Sequence, residues 1–213
     1  IIYCNTLMVE IITIDGPASV GKSTLAKRIS SHYKSPLLNS GRLYRAIALK
    51  MKIKKIRIND RTEIIKIARL LSDNDMRSNN LFNSGIEKIA SQISAREYLR
   101  DELKVYQREF PKKYAKGKRF AIIEGRDIGT EIFPEAKYKI FMWADVKIRA
   151  KRRHDQIIKK GEKARLKQIY NEIIARDNKD LNRKIAPLKP AANSVLLDTS
   201  YLDIEQSLNK IKN

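Results

Sequence analysis

"IDGPASVGKSTLAK", residues 14–27, sets Gly16 and Gly21 five positions apart and follows the second glycine with Lys22 and Ser23. Glycines at those points let a backbone turn tightly and aim its N–H groups inward, which makes an anion nest. A helix opening near Lys22 adds its positive end. The Lys22 ammonium has the reach for β- and γ-phosphates, and the Ser23 hydroxyl suits Mg²⁺. The spacing Gly-x-x-x-x-Gly-Lys-Ser is matched without a mismatch. The run Gly16, Pro17, Ala18, Ser19, Val20, Gly21, Lys22, Ser23 and Thr24 is therefore expected to cradle a nucleoside triphosphate, ATP being the natural one, with Mg²⁺ at Ser23.

The flanks agree with that reading. Residues 9–14 are β-rich and end at Asp15-Gly16, which predicts a strand; residues 23–33 have helical spacing. Further strands are expected at 36–38, 119–124, 138–144 and 194–198. Helices are expected at 40–51, 60–71, 86–110 with a break near Ser94, 145–178 with a break at Gly161, and 203–211. The polar stretch "SDNDMRSNNLFNSG", 72–85, reads as a loop. Strands alternating with helices predict an α/β fold, a parallel sheet covered on both faces.

The chain has 213 residues, of which 42% are hydrophobic, enough for one full core with a small mobile subdomain. No apolar run approaches a membrane span. The first residues lack a basic region and a small-residue cleavage site, so no signal peptide is expected, and Met8 reads as the natural start. The single cysteine, Cys4, excludes an internal disulfide and a Cys-based metal site, which fits a reducing cytoplasm. The net charge of +21 suits a polyanionic partner, nucleic acid or phosphorylated small molecules; it equally suits a Lys-, Ile- and Asn-rich composition, and the basic residues are dispersed. His32 and His154 stand far apart and receive no role.

The phosphate loop does not name the acceptor, and three other stretches bear on it. In "LLNSGRLYRA", 37–46, Ser40, Tyr44 and Arg45 follow a strand's C-terminal end; the alternative is a helix N-cap at Ser40 with a solvated Arg45. In "IIEGRDIGTEIFPEA", 122–136, a buried strand ends in Glu124, whose carboxylate can hold a Mg²⁺-bound water, and Arg126 and Asp127 follow; the alternative is a charged turn. In "ARDNKDLNRKIAPLKPA", 175–191, Arg176, Asp180 and Arg183 share one face if a helix persists, an arrangement suited to phosphates and a sugar hydroxyl; the alternative is a surface salt-bridge ladder.

Together "IDGPASVGKST", "LLNSGRLYR", "EGRDIGTEIFPEA" and "RDNKDLNRKIAPLKPA" resemble bacterial cytidylate kinases, in family order, from about residue 9 to the C-terminus. The resemblance implies a P-loop kinase that passes the γ-phosphoryl of ATP to CMP or dCMP in the cytoplasm, as a monomer with no dedicated nucleic-acid partner and no membrane. It implies a core at about 8–50 and 118–213, a mobile helical monophosphate-binding region at about 51–117, and a helical lid at about 147–179. Ser40 and Arg45 fall on its monophosphate positions. Arg100 and Asp127 would read the cytosine, with Ser91 in the same pocket. Arg126 and Arg183 would grip the acceptor phosphate, Asp180 the ribose, and Arg176 the moving phosphoryl group, so that Lys22, Arg126, Arg176 and Arg183 form the catalytic set. Ser23 and Glu124 would serve Mg²⁺, and Arg149, Arg152 and Arg153 would be lid fingers. Three departures stand out. Glu124 and Asn39 each replace an aspartate of the family, and residues 72–85 are too short and too poor in strand formers for its β-rich insert.

Two rival readings are a P-loop kinase for another acceptor, such as shikimate or another monophosphate, and a basic nucleic-acid-binding protein with a degenerate loop. Arg126-Asp127 with Arg176, Asp180 and Arg183 favours a nucleotide acceptor. Dispersed charge and the lack of a recognisable nucleic-acid module weigh against the second rival.

Overall fold

The computed structural model describes residues 9–212; Cys4 and Met8 lie outside the described residues. Five strands carry the fold: β1 (Glu10–Asp15), β2 (Leu37–Asn39), β3 (Phe120–Glu124), β4 (Tyr138–Trp143) and β5 (Val195–Asp198). Their order is β2-β3-β1-β4-β5, so the phosphate loop leaves the central strand. β1 runs parallel to both β3 and β4, and β4 runs parallel to β5. The register places Ile14 opposite Glu124 and Asp15 opposite Phe141, so three strands end at one edge. Long apolar strands of this kind need cover on both faces, and β3 is buried at every residue.

Nine α-helices connect the strands among the described residues: α1 (Lys22–His32), α2 (Ser40–Ile53), α3 (Arg61–Arg69), α4 (Asp73–Arg77), α5 (Ser84–Ile93), α6 (Glu97–Tyr114), α7 (Val146–Ile158), α8 (Leu166–Asn182) and α9 (Ile204–Lys212). The chain divides into two compact units. One comprises the chain through Leu37 and from Pro111 onward; the other is Leu38–Phe110. In the first unit, Ile12 and Ile14 of β1, Ile122 of β3 and Met142 of β4 meet Leu25 and Ile29 of α1 and Leu208 of α9. Thr13 and Ile123 point the other way and are equally buried. In the second unit, Leu43, Ile47 and Met51 of α2 face Ile64 and Ile67 of α3, Ile86 and Ile93 of α5, and Leu99 and Leu103 of α6. Within α2, Leu43, Ile47 and Met51 recur every four residues, and within α5, Ile86, Ala90 and Ile93 recur every three or four, as helix faces demand.

The breaks expected near Ser94 and Gly161 are present: α5 ends at Ile93, and Gly161 takes φ +78° between α7 and α8. The expected loop at 72–85 is instead mostly helical. Ser72 and Asp75 form a reciprocal capping box for α4, a 3₁₀ turn follows at Asn79–Phe82, and Asn83 caps α5. Caps satisfy the end N–H groups of turns too short to show a hydrophobic period, and Leu81 anchors the segment with no exposure at all.

Candidate active site

In the first unit the phosphate loop is bounded by positive φ at Gly16 (+147°) and Gly21 (+101°), with Ser19 left-handed between them (+59°). A Cβ on Gly16 would lie 2.1 Å from the Met142 carbonyl oxygen, so only glycine fits there. Gly21 is the N-cap of α1 and offers no side-chain cap, which leaves the helix's first N–H groups to a ligand. Lys22 is buried. Its Nζ donates to the carbonyl oxygens of Gly16 (2.7 Å) and Pro17 (2.6 Å), so the ammonium lies across the loop. Burial, then the charges of Arg126 and Arg176, push its pKa well below the usual ammonium range, while Glu124 and Asp15 pull it back.

The loop meets the end of β3. Ser23 Oγ donates to Glu124 Oε2 at 3.0 Å, and Glu124 is buried. Beyond it, Arg126 Nε donates to Asp180 Oδ2 at 3.0 Å. Arg183 lies 3.6 Å from Asp127 Oδ1 through Nη2 and 3.9 Å from Asp180 Oδ1 through Nη1. Burial raises the Asp180 pKa, but Arg126, Arg176 and Arg183 outweigh it and hold the carboxyl below its ordinary value. Arg176, one turn before Asp180 on α8, thus acts on both Lys22 and Asp180. The expected common helix face for 176, 180 and 183 is only partly formed: α8 ends at Asn182, and Arg183 is extended. Its guanidinium returns to the cluster by donating from Nε to the Ala186 carbonyl, where Ala186 takes φ +49°.

Two buried groups tie this cluster together without having announced themselves in the sequence. Asp15 accepts from the Ile128 N–H (2.9 Å) and the Gly129 N–H (2.7 Å), fixing the π-helical turn Ile128–Ile132 that follows Asp127. Burial raises its pKa from 3.8 to about 6 against the pull of those two N–H groups. A Cβ on Gly129 would crowd Thr13 Oγ1 at 3.0 Å and Asp15 Oδ2 at 3.4 Å. Arg149 donates from Nε to Ala144 O (2.8 Å) and from Nη1 to Ala18 O (3.1 Å), and pairs with Asp177 Oδ2 at 2.6 Å. Arg152 donates to Thr199 O at 2.6 Å, and Thr199 Oγ1 donates to Val20 O at 3.2 Å. Arg149 thus holds a carbonyl of the phosphate loop, and Arg152 holds the Thr199 carbonyl, one step removed from the loop. A charged residue ending a buried strand, as Asp15 does, was the available signal for the first clamp; the second joins residues far apart in sequence and left none. Arg153 stands half-buried on α7.

The second unit holds the other expected residues. Asn39, not Ser40, is the N-cap of α2, accepting from the Arg42 N–H at 3.2 Å; Ser40 is the buried first helical residue. Arg45 lies 3.5 Å from Glu87 and over the Phe82 ring. Arg100, buried on α6, donates to the Ser94 carbonyl at 2.9 Å, and Ser91 O accepts from Ser94 Oγ at 3.1 Å. Ser91 and Arg100 are thus joined through Ser94 within this unit.

Comparison with known proteins bears on both sets. The family model described as cytidylate kinase matches residues 12–213. A cytidylate kinase of Rhodopseudomonas palustris (strain ATCC BAA-98 / CGA009) is 42% identical over 195 residues, 92% of this chain and 90% of that one. One from Dichelobacter nodosus is 37% identical over 218 residues, covering 96% and 95%. Among solved structures, a Thermus thermophilus protein superposes with a TM-score of 0.53 over 96% of each chain at 16% identity, a likeness of fold. With the family model spanning residues 12–213 and relatives near 40% identity over more than 90% of the chain, the chain belongs to the cytidylate kinase family.

Proposed function

We propose that this chain transfers the γ-phosphoryl group of ATP to CMP, and to dCMP as a second acceptor, giving ADP and the nucleoside diphosphate. The observation that carries the reading is the charge cluster Arg126–Asp180–Arg183–Asp127, built in the same unit as the phosphate loop. Membership of the family supplies the acceptor's identity.

The roles follow from the chemistry of each group. Backbone N–H groups of the loop 16–24, Pro17 excepted, and of the start of α1 would hold the triphosphate, and Lys22 would turn from the loop carbonyls to the β- and γ-oxygens. Its depressed pKa fits a group that gains a polyanionic partner, since the phosphates restore what burial takes away. Ser23 Oγ and Glu124 Oε2 are neighbouring hard oxygen donors and fit Mg²⁺, which takes one or two protein ligands beside phosphates and water. When bound, that ion would neutralise charge on the phosphates.

On the acceptor, Ser40 and Arg45 would bind the monophosphate, Arg126 and Arg183 its oxygens, and Asp180 the ribose. Arg100, Asp127 and Ser91 would read the cytosine; a carboxylate accepts only, so Asp127 suits the N4 amino group and opposes the O4 of uracil. The acceptor phosphate oxygen attacks the γ-phosphorus while its bond to the β–γ bridging oxygen breaks. Arg126, Arg176 and Lys22 stabilise the spread charge, and no covalent enzyme intermediate is needed. Residues at about 51–117 act as the monophosphate-binding region, and the stretch at about 147–179, most of the α7–α8 pair, acts as a lid that keeps water from the γ-phosphate. No described helix is long and apolar enough to cross a membrane. A cytoplasmic monomer acting on small molecules in pyrimidine nucleotide metabolism, with no dedicated nucleic-acid partner, completes the reading.

The test is ADP release across CMP, dCMP, UMP, AMP and shikimate at fixed ATP and Mg²⁺. CMP and dCMP should lead by kcat/KM. A preference for AMP or shikimate would overturn the assignment of acceptor.

A further inference from the structure

The setting of Arg45 in the second unit is more elaborate than a phosphate-binding arginine requires. The side chain starts on the second turn of α2 and folds back toward the helix's first turn, where Gly41 leaves room for it. A Cβ on Gly41 would lie 2.9 Å from Arg45 Nη1. Along another side lies the Phe82 ring, its centroid 5.2 Å from Arg45 Cζ. The Glu87 carboxylate approaches to 3.5 Å from α5, and the Arg45 side chain is only 15% exposed. Three separate elements therefore converge on one guanidinium.

The ring is itself held. It stands at the end of the 3₁₀ turn Asn79–Phe82, whose neighbour Leu81 is fully buried and whose ends are capped by Ser78 and Asn83. Arg42 lies over the same ring at 5.0 Å and donates from Nη1 to the Met76 carbonyl at 2.6 Å, while Lys50 pairs with Asp75 at 2.9 Å. The segment 72–85 is thus bound to α2 by several independent contacts.

A ring face is a particular kind of holder. It attracts a guanidinium through its quadrupole and restrains the plane, yet takes none of the N–H donors, which lie in that plane. A carboxylate engages donors that a phosphate also uses, and Glu87, 3.5 Å from Arg45 Nη2, is a partner with which an incoming phosphate would compete. Flexible arginines lose much rotamer freedom on binding an anion, and a side chain already set in place loses less.

We infer that Phe82 is a positioning residue for the acceptor: its ring, together with the room left at Gly41, presets the Arg45 guanidinium for the monophosphate. This rests on the assignment of Arg45 to the monophosphate, and adds that the 72–85 segment serves that arginine.

Steady-state kinetics of Phe82→Leu, Phe82→Tyr and Arg45→Ala, with CMP varied at saturating ATP and the reverse, tests it. Phe82→Leu keeps the apolar bulk and removes the π face. It should raise KM for CMP by roughly three- to thirtyfold, leave KM for ATP unchanged, and be rescued by Phe82→Tyr. Arg45→Ala should raise KM for CMP further. A packing role would instead lower the thermal midpoint and active fraction, with Tyr no better than Leu. If Arg45→Ala raises KM for CMP but Phe82→Leu does not, Phe82 is not a positioning residue and the assignment of Arg45 stands. If Arg45→Ala leaves KM for CMP unchanged, the assignment of Arg45 falls and the inference with it. Should Phe82→Leu not fold, Phe82→Met is judged by the same outcomes.

Discussion

The two units hold their functional side chains by different physics. In the first, charges lean on charges: Arg126 on Asp180, Arg183 on Asp127 and Asp180, Arg149 on Asp177, with Lys22 under the influence of four neighbours. In the second, Arg45 leans on a ring and on the Glu87 carboxylate, and Arg100 donates to a main-chain carbonyl. A buried network ties its members together, so removing one leaves the others with uncompensated charge. Removing Arg45 leaves one partly exposed carboxylate, Glu87, without that cation, and so should cost less than breaking the network. Removing one partner of the first unit's ion pairs should therefore disturb rate, affinity and stability together, and removing Arg45 mainly acceptor affinity.

The largest break is Lys22→Met. Transfer should fall by at least about a hundredfold, because a donor aimed at developing charge is lost. The thermal midpoint should hold or rise, since a buried ammonium is replaced by an apolar chain of similar length. Turnover within a few-fold of wild type would remove Lys22 from the mechanism.

Asp180→Ala sharpens the contrast with Arg45→Ala. Losing one carboxylate from the buried network should cost about 2–4 kcal/mol of stability and weaken CMP use. Arg183→Ala should lower both CMP affinity and rate. Arg45→Ala should cost under about 1 kcal/mol of stability. Urea unfolding and CMP kinetics on the three variants decide it; equal destabilisation by Asp180→Ala and Arg45→Ala would erase the distinction.

A smaller effect is expected from Asp15. Its folded pKa of about 6 lies above the ordinary 3.8, so the folded chain keeps a proton that the unfolded chain releases across that interval. The protonated carboxyl's contribution is complete below about pH 4 and is lost as pH rises to about 6, by up to roughly 3 kcal/mol. Asp15→Asn removes this titration, although it also sets an amide donor against one of the two backbone N–H groups. Urea midpoints from pH 4 to 7 should fall more steeply in wild type than in Asp15→Asn; parallel profiles would mean that Asp15 titrates normally.

The phosphate loop was legible because its information is local: two glycines, a lysine and a serine at fixed spacing between a strand and a helix. The strands at 119–124 and 138–144 were legible as apolar runs, and the helix breaks as Ser94 and Gly161. Residues 72–85 were not, because Ser72, Ser78 and Asn83 favour loops and helix caps alike, and four- or five-residue turns show no period. The clamps by Asp15 and Arg149 join residues more than a hundred positions apart, in the case of Asp15 with Ile128 and Arg149 with Ala18, and no spacing encodes them. The candidate residues on α8 were identified by a helical face, yet Arg183 reaches the cluster from beyond the helix end.

The smallest effect is on base choice. Asp127→Asn adds a donor where cytosine and uracil differ. It should lower activity with CMP and narrow the CMP-to-UMP ratio of kcat/KM by roughly 1–3 kcal/mol of discrimination. A ratio that does not move would give Asp127 a structural role beside Arg183.

Phosphoryl transfer itself is followed with γ-labelled ATP in a reaction with CMP and Mg²⁺, using wild type and Lys22→Met side by side. Wild type should place the label on CDP, with little in inorganic phosphate, and the variant should form neither product. Label that collects in inorganic phosphate, or CDP formed equally well by Lys22→Met, would contradict the proposed transfer.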